Sequence, residues 1–398
     1  MIEHSTTERY GITYEPFGPV TGLTDTRTYD QDYRLTSITV PNILSWTLGY
    51  NADDVITGLT DNLAGSNSQT LGYDNLNRLS TGSGAYGSQS YGYDANGNRN
   101  TETLNGTNTT LNIAVSSNQL ASLSGGQNKT YQYDANGNLT DDGTNTYTYD
   151  NTNRLAGVTT SSGTDTYQYN GLGQRVEKTV GGSTTVFVYD EAGHLLGEYT
   201  SSGSLIAEHI WLDNRPIGLI TSSGLYYVQT DQLGTPRDIT NPSKAIVWQW
   251  NSDPFGNGTP TGSITYNLRF PGQYFDSETG HDYNYFRYYD PTIGRYIESD
   301  PIGLAGGINT YAYTNGNPIS LADPMGWAPG DSFPSAEAAA LDALNYISSK
   351  SDRCAREYGG WVYKEWSLFG PPMYTELCLN LVYKRFEKGG VPADNEFV

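Results

Sequence analysis

With 398 residues, 33 Tyr, 46 Gly and only 16% charged side chains, the chain lacks the Leu, Ala, Glu and Lys of a long helical architecture over its first 327 residues. It favours many short strands joined by tight turns. The net charge of −21, of which residues 328–398 carry −3, argues against DNA or RNA binding through the repeats, because phosphate contacts need clustered Lys and Arg.

Residues 1–11 have neither a basic start nor an apolar core, so no signal peptide is expected. No apolar run approaches the length of a membrane span. Export then calls for a dedicated secretion apparatus or an upstream segment. The two cysteines, Cys354 and Cys378, both fall in the last 71 residues, so the preceding 327 must be stable without disulfides.

A short phrase recurs along the chain: Tyr, then Asp or Asn, then Gly/Asn-rich turn residues, then Arg or Leu. Its clearest copies are Tyr73–Leu79, Tyr93–Arg99, Tyr133–Leu139 and Tyr149–Leu155, with looser ones at Tyr169–Arg175 and Tyr189–Leu195. The anchoring tyrosines stand about 20 residues apart, the mark of a repeat architecture. Pairs such as Tyr91/Tyr93 and Tyr147/Tyr149 have period 2 and share a strand face. Asp with Asn-Gly makes a turn, and Leu or Arg opens the return strand. A hairpin cannot bury a face alone, so neighbouring units must share a sheet, with their tyrosines forming an aromatic ladder. The tyrosines read as packing residues, with a carbohydrate-binding surface as the rival. The Asp reads as a turn residue, since calcium ligation needs more acidic positions than the phrase supplies. No metal or cofactor is expected.

These phrases resemble the YD repeats of Rhs proteins, teneurins and the shell-forming subunits of insecticidal toxin complexes. The resemblance implies repeats that spiral into a hollow β-shell enclosing a peptide. About nine units are recognisable here, which suits a partial wall better than a closed cage. The expected fold is mainly β: antiparallel hairpin repeats over 1–265, a core over 266–327, and a small α+β C-terminal domain over 328–398.

From Leu268 the phrase changes. It runs through Arg269–Asp276, Tyr283–Pro291, Gly294–Ile297 and Ser299–Gly307 to Asp323-Pro324-Met325-Gly326-Trp327. Two Asp-Pro-x-Gly turns, at Asp300 and Asp323, are 23 residues apart. Taken singly, each Asp is a turn residue, since Pro fixes φ and Gly accepts a positive φ. Brought together, two carboxylates cannot both ionise easily, and one can act as acid while the other activates water. The stretch as a whole resembles the Rhs-associated core. That resemblance implies an aspartyl autoprotease with Asp300 and Asp323 as the catalytic pair, Arg287 in support, and a cut between Trp327 and Ala328. The family usually has Leu or Met where this chain has Trp327.

Composition shifts at Ala328-Pro329-Gly330. Ser335 is placed to cap a helix through Ile347, Tyr358–Tyr363 reads as a strand, and Thr375–Lys388 reads as a second helix closed by Gly389-Gly390. Residues 333–340 and 357–360 are similar to a domain of unknown function often found behind Rhs cores. Longer members of it carry a His-Thr-His segment, whereas this chain has no histidine after His281, so metallopeptidase chemistry is not expected. Two functions follow. One is a polymorphic toxin whose shell holds and releases its own C-terminal passenger, with an immunity protein as partner. The other is a secreted or cell-surface adhesion scaffold that binds carbohydrate or protein without cleavage.

Overall fold

The computed structural model describes residues 25–327 except 33, and the backbone of strands Thr7–Arg9, Ile12–Tyr14, Val20–Gly22, Trp361–Glu365 and Met373–Leu377. The chain separates into two units, Met1–Asp331 and Ser332–Val398.

The first unit is built on two open antiparallel sheets of 14 strands each, in which every strand pairs with its neighbours in sequence. One repeat explains the rest. Strand Gln69–Tyr73 runs out to the phrase tyrosine, and Leu79–Gly84 returns, with a bulge between Gly72 and Tyr73. Between them the Asp74 carboxylate accepts the backbone N–H groups of Leu76 at 2.9 Å and Arg78 at 3.0 Å. A short carboxylate is what can reach donors two and four residues ahead. The fourth residue after the phrase tyrosine has positive φ, which favours Gly, Asn or Asp there: Asp54, Asn77, Gly97, Gly137, Asn153, Gly173 and Gly193.

The tyrosines link units through their hydroxyls. Tyr50 donates to the Leu35 carbonyl at 2.7 Å, Tyr73 to Ile56 at 2.7 Å, Tyr93 to Leu79 at 2.8 Å, Tyr169 to Leu155 at 2.8 Å and Tyr189 to Arg175 at 3.0 Å. Each acceptor is the first residue of the preceding return strand. Where the phrase tyrosine is replaced, Trp211 donates its indole N–H to the Leu195 carbonyl at 2.9 Å. The expected aromatic ladder thus takes another form: hydroxyl-to-carbonyl links run along the wall.

Ring contacts run from wall to core. Phe187 meets Tyr274 with centroids 5.3 Å apart, and Tyr167 meets Tyr288 at 5.9 Å. The core carries its own four-stranded sheet of Tyr274–Asp276, His281–Asn284, Arg287–Asp290 and Arg295–Tyr296. Arg175 on the wall, fully buried, pairs with Asp276 on the core, which Lys178 also reaches at 2.8 Å. Burial works against charge on Asp276, yet the two cations hold its carboxyl below the usual range.

The second unit shows one antiparallel pair, Trp361–Glu365 with Met373–Leu377. Here the expectation of a helix from Thr375 fails: Thr375–Leu377 belong to a strand. Met-Tyr-Thr-Glu-Leu carries an aromatic and a β-branched residue, which suit a pleated pair as well as a helix turn. The expected helix from Ser335, the rest of the second helix, and both cysteines lie outside the described residues.

Candidate active site

The two Asp-Pro-x-Gly turns are brought together by Arg287, which sits on the central core strand Arg287–Asp290 with its side chain 1% exposed. One guanidinium nitrogen, Nη2, lies 3.2 Å from Asp300 Oδ2 and 3.3 Å from Asp323 Oδ2. The guanidinium also donates to the Gly326 carbonyl and, at 3.1 Å, to the Thr310 carbonyl. Its carbon lies 3.6 Å from the centroid of the Tyr296 ring, so a buried cation is held by carboxylates, carbonyls and an aromatic face together.

Each aspartate uses the hydrogen-bond pattern of a turn. Asp300 Oδ1 accepts the Ile302 N–H at 2.9 Å, and Asp323 Oδ1 accepts the Trp327 N–H at 2.9 Å. The second oxygen of Asp323 also accepts the Tyr296 hydroxyl at 2.7 Å. Asn284 donates to the Tyr296 hydroxyl at 2.7 Å and to the Asp323 carbonyl at 3.0 Å. The second turn is wedged tightly against the strands: Gly326 has φ 69, and a Cβ there would collide with the Asn284 carbonyl.

Burial raises both carboxyls. Asp323 is pushed up to about 6, desolvation outweighing the bonds from Arg287, Tyr296 and Trp327, with the neighbouring Asp300 charge adding to the rise. Asp300 is raised by burial as well, with Arg287 opposing. Both carboxyls thus stand above the ordinary carboxylate range, where one can keep a proton while the other is charged. The arrangement can therefore offer an acid and a base beside the peptide that follows Trp327.

Asp300 and Trp327 line a cavity of about 830 Å³ together with Phe286, Arg154 and Glu298. Glu298, with its carboxyl pushed up by burial to about 7, accepts the Tyr288 N–H at 2.8 Å. Sequence reasoning singled out Asp300, Asp323, Arg287 and Trp327, and the structure places all four in one cluster. Ala328 lies outside the described residues. Tyr296, Asn284, Phe286 and Glu298 were missed. In a chain with 33 tyrosines and abundant Asn, neither residue type stands out. Repeat tyrosines read as packing residues, such as Tyr91, Tyr131, Tyr147 and Tyr167, are at most 9% exposed.

Comparison with known proteins adds three findings. The family model of the teneurin YD-shell matches residues 21–319. Among curated proteins, the chain is 34% identical over 158 residues to a double-stranded DNA deaminase toxin of Burkholderia cenocepacia, covering 38% of this chain and 11% of that protein. It is 41% identical over 101 residues to the toxin protein Tse5 of Pseudomonas aeruginosa, covering 25% and 8%. The chain thus spans about a tenth of the length of these relatives. Among solved structures, the Photorhabdus luminescens Tc holotoxin pore superposes with a TM-score of 0.67 at 18% identity, over 79% of this chain and 19% of that one. A TcdB2–TccC3 complex superposes at 0.66 and 18% identity, over 80% and 20%. These two likenesses speak to the β-shell fold.

Proposed function

The chain belongs to the teneurin YD-shell family, and from that premise we propose that it is the shell end of an Rhs-type polymorphic toxin that severs its own C-terminal passenger. Its division is a repeat wall over 1–265, a self-cleaving core over 266–327 and a passenger over 328–398. The observation that carries the reading is the single guanidinium nitrogen of Arg287 within 3.3 Å of both Asp300 and Asp323, directly beside Trp327.

In the proposed reaction one aspartate, as carboxylate, takes a proton from water. The water oxygen adds to the Trp327 carbonyl carbon. The other aspartate, protonated, gives its proton to the Ala328 nitrogen as the C–N bond breaks. The products are a Trp327 carboxylate and a free Ala328 amine. Asp323 is anchored through Trp327 N–H, and Arg287 through the Gly326 carbonyl, so both groups are tied to the two residues preceding the bond. Because the substrate is part of the chain, tethering supplies a high effective concentration.

An immunity protein is the partner expected for an active passenger, and delivery outside the cell through a secretion apparatus is the expected route. Relatives that are named toxins support both. A second reading has one observation in its favour: Arg287, Tyr296 and the backbone satisfy the aspartates as a structural network would. In it the protein is an uncut surface scaffold. Expression of the whole chain decides between them. The self-cleavage reading expects a fragment whose N-terminal residue is Ala328 and which disappears in Asp323→Asn. Intact chain in both forms sinks it.

A further inference from the structure

The scissile position is gripped from the repeat wall as well as from the core. The Trp327 indole stacks on the Phe286 ring, centroids 4.4 Å apart and planes 23° from parallel. The Arg154 guanidinium lies 4.7 Å from the centroid of that same Phe286 ring and 4.7 Å from the centroid of Tyr169. Arg154 belongs to one repeat phrase and Tyr169 to the next, and the Tyr169 hydroxyl is tied back to the Leu155 carbonyl. Arg154 also donates to the Tyr285 carbonyl at 3.0 Å, beside Phe286. Gly173 permits the close approach: a Cβ there would stand 3.0 Å from the Phe286 ring and 3.1 Å from the Arg154 guanidinium. A continuous column therefore runs Trp327, Phe286, Arg154, Tyr169, from the bond to be cut into the wall.

Nothing in the chemistry of the aspartates needs this column. Asp323 holds Trp327 through its backbone N–H, and a peptide bond held only by backbone bonds could still pivot. Stacking between flat rings and a cation is directional and adds about 0.5–2 kcal/mol at each layer. The column fixes the rotation of Trp327 and hence the direction of its carbonyl. We propose that Phe286 and Arg154 are positioning residues that select a large flat side chain at Trp327. They also make cleavage conditional on the folded repeats between Tyr149 and Arg175. This inference rests on the self-cleavage reading and deepens it, since the same site would then cut only after its own wall has formed.

The test follows cleavage over time in cell-free translation, where a slow variant is still caught in progress. Phe286→Leu, Arg154→Ala and Trp327→Ala are each expected to slow the appearance of the 328–398 fragment, by up to about 100-fold, the scale of an ångström-sized misplacement. Trp327→Phe keeps a flat ring and is expected to cut near the wild-type rate, and Arg154→Lys to recover part of the Arg154→Ala loss. The deciding variant is Phe286→Leu combined with Trp327→Ala. If the rings act through each other, the double variant is no slower than the slower single. Melting temperatures of the same variants, measured on the uncleavable Asp323→Asn background, separate positioning from loss of fold. Single variants that keep pace with wild type, or effects that multiply in the double variant, overturn the column alone. A wild-type chain that stays whole overturns the self-cleavage reading itself.

Discussion

The repeat wall and the core use the same turn for opposite ends. In the wall, Asp74 accepts N–H groups two and four residues ahead, pairs with Arg78 at 2.6 Å, and keeps its side chain 26% exposed. Partial burial works against its charge, but the bonds from Arg78 and Leu76 prevail and the carboxyl falls below its ordinary value. In the core, Asp300 and Asp323 accept the corresponding N–H groups at i+2 and i+4, yet their side chains are only 2% and 8% exposed and both carboxyls rise. Deeper burial, one such N–H in place of two and a shared arginine separate these aspartates from the structural one.

The wall itself shows what it asks of that residue. Asn51 and Asn170 occupy the Asp position in two repeats and accept the same pair of N–H groups through their side-chain oxygens. Only an acceptor is needed there. The sharpest way to break the comparison is therefore to make one substitution in both places. Asp323→Asn is expected to lower self-cleavage by about 100-fold or more, the usual weight of a general acid or base. Asp74→Asn should leave the cleavage rate unchanged. Equal effects in the two positions, read as fragment formed over time, would erase the distinction.

The next largest effect concerns the seam where wall meets core. Arg175→Ala leaves Asp276 buried with Lys178 as its remaining cation, and the expected cost is about 3–5 kcal/mol, visible as a lowered melting temperature in Asp323→Asn protein. A variant as stable as its parent would show that the seam does not depend on this pair. The pH profile of cleavage is a smaller and finer probe. With Asp323 held up to about 6, against an ordinary 3.8, the proton is present below that value and lost above it. Cleavage should therefore fall about tenfold per pH unit on the alkaline side of 6. The sign for stability is the same: the folded chain retains a proton that the unfolded chain has released, so this site's contribution weakens as pH rises through the interval. A rate that is flat from pH 5 to 8 would exclude Asp323 as the proton donor.

The smallest expected effect tests the wall's internal links. Tyr73→Phe removes the hydroxyl bond to the Ile56 carbonyl and should cost about 1 kcal/mol in denaturant unfolding, with cleavage unaffected.

The wall was largely legible in the sequence because its signal repeats. The tyrosine spacing gave the period, and the Asp and Asn-Gly residues gave the turns. What the tyrosine hydroxyls do was not legible, since spacing carries no information about which carbonyl a side chain will reach. In the core, Asp300 and Asp323 stood out through their prolines and glycines, and Arg287 only through resemblance. Tyr296 and Asn284 were hidden because their residue types are common throughout the chain, and Phe286 because no spacing ties it to Trp327. Near the C-terminus, the helix expected from Thr375 gave way to a strand because a short mixed segment takes its form from the strand it meets, Trp361–Glu365.

The hydroxyl links have a direction. Five tyrosines, at 50, 73, 93, 169 and 189, each bond to a carbonyl 14 to 17 residues earlier in the chain, so each of these turns meets an acceptor that has left the ribosome before it. The expected consequence is growth of the wall in chain order, each course laid on the one before. On the self-cleavage reading proposed above, the turn at Asp323 would then be the last part of the site to be made.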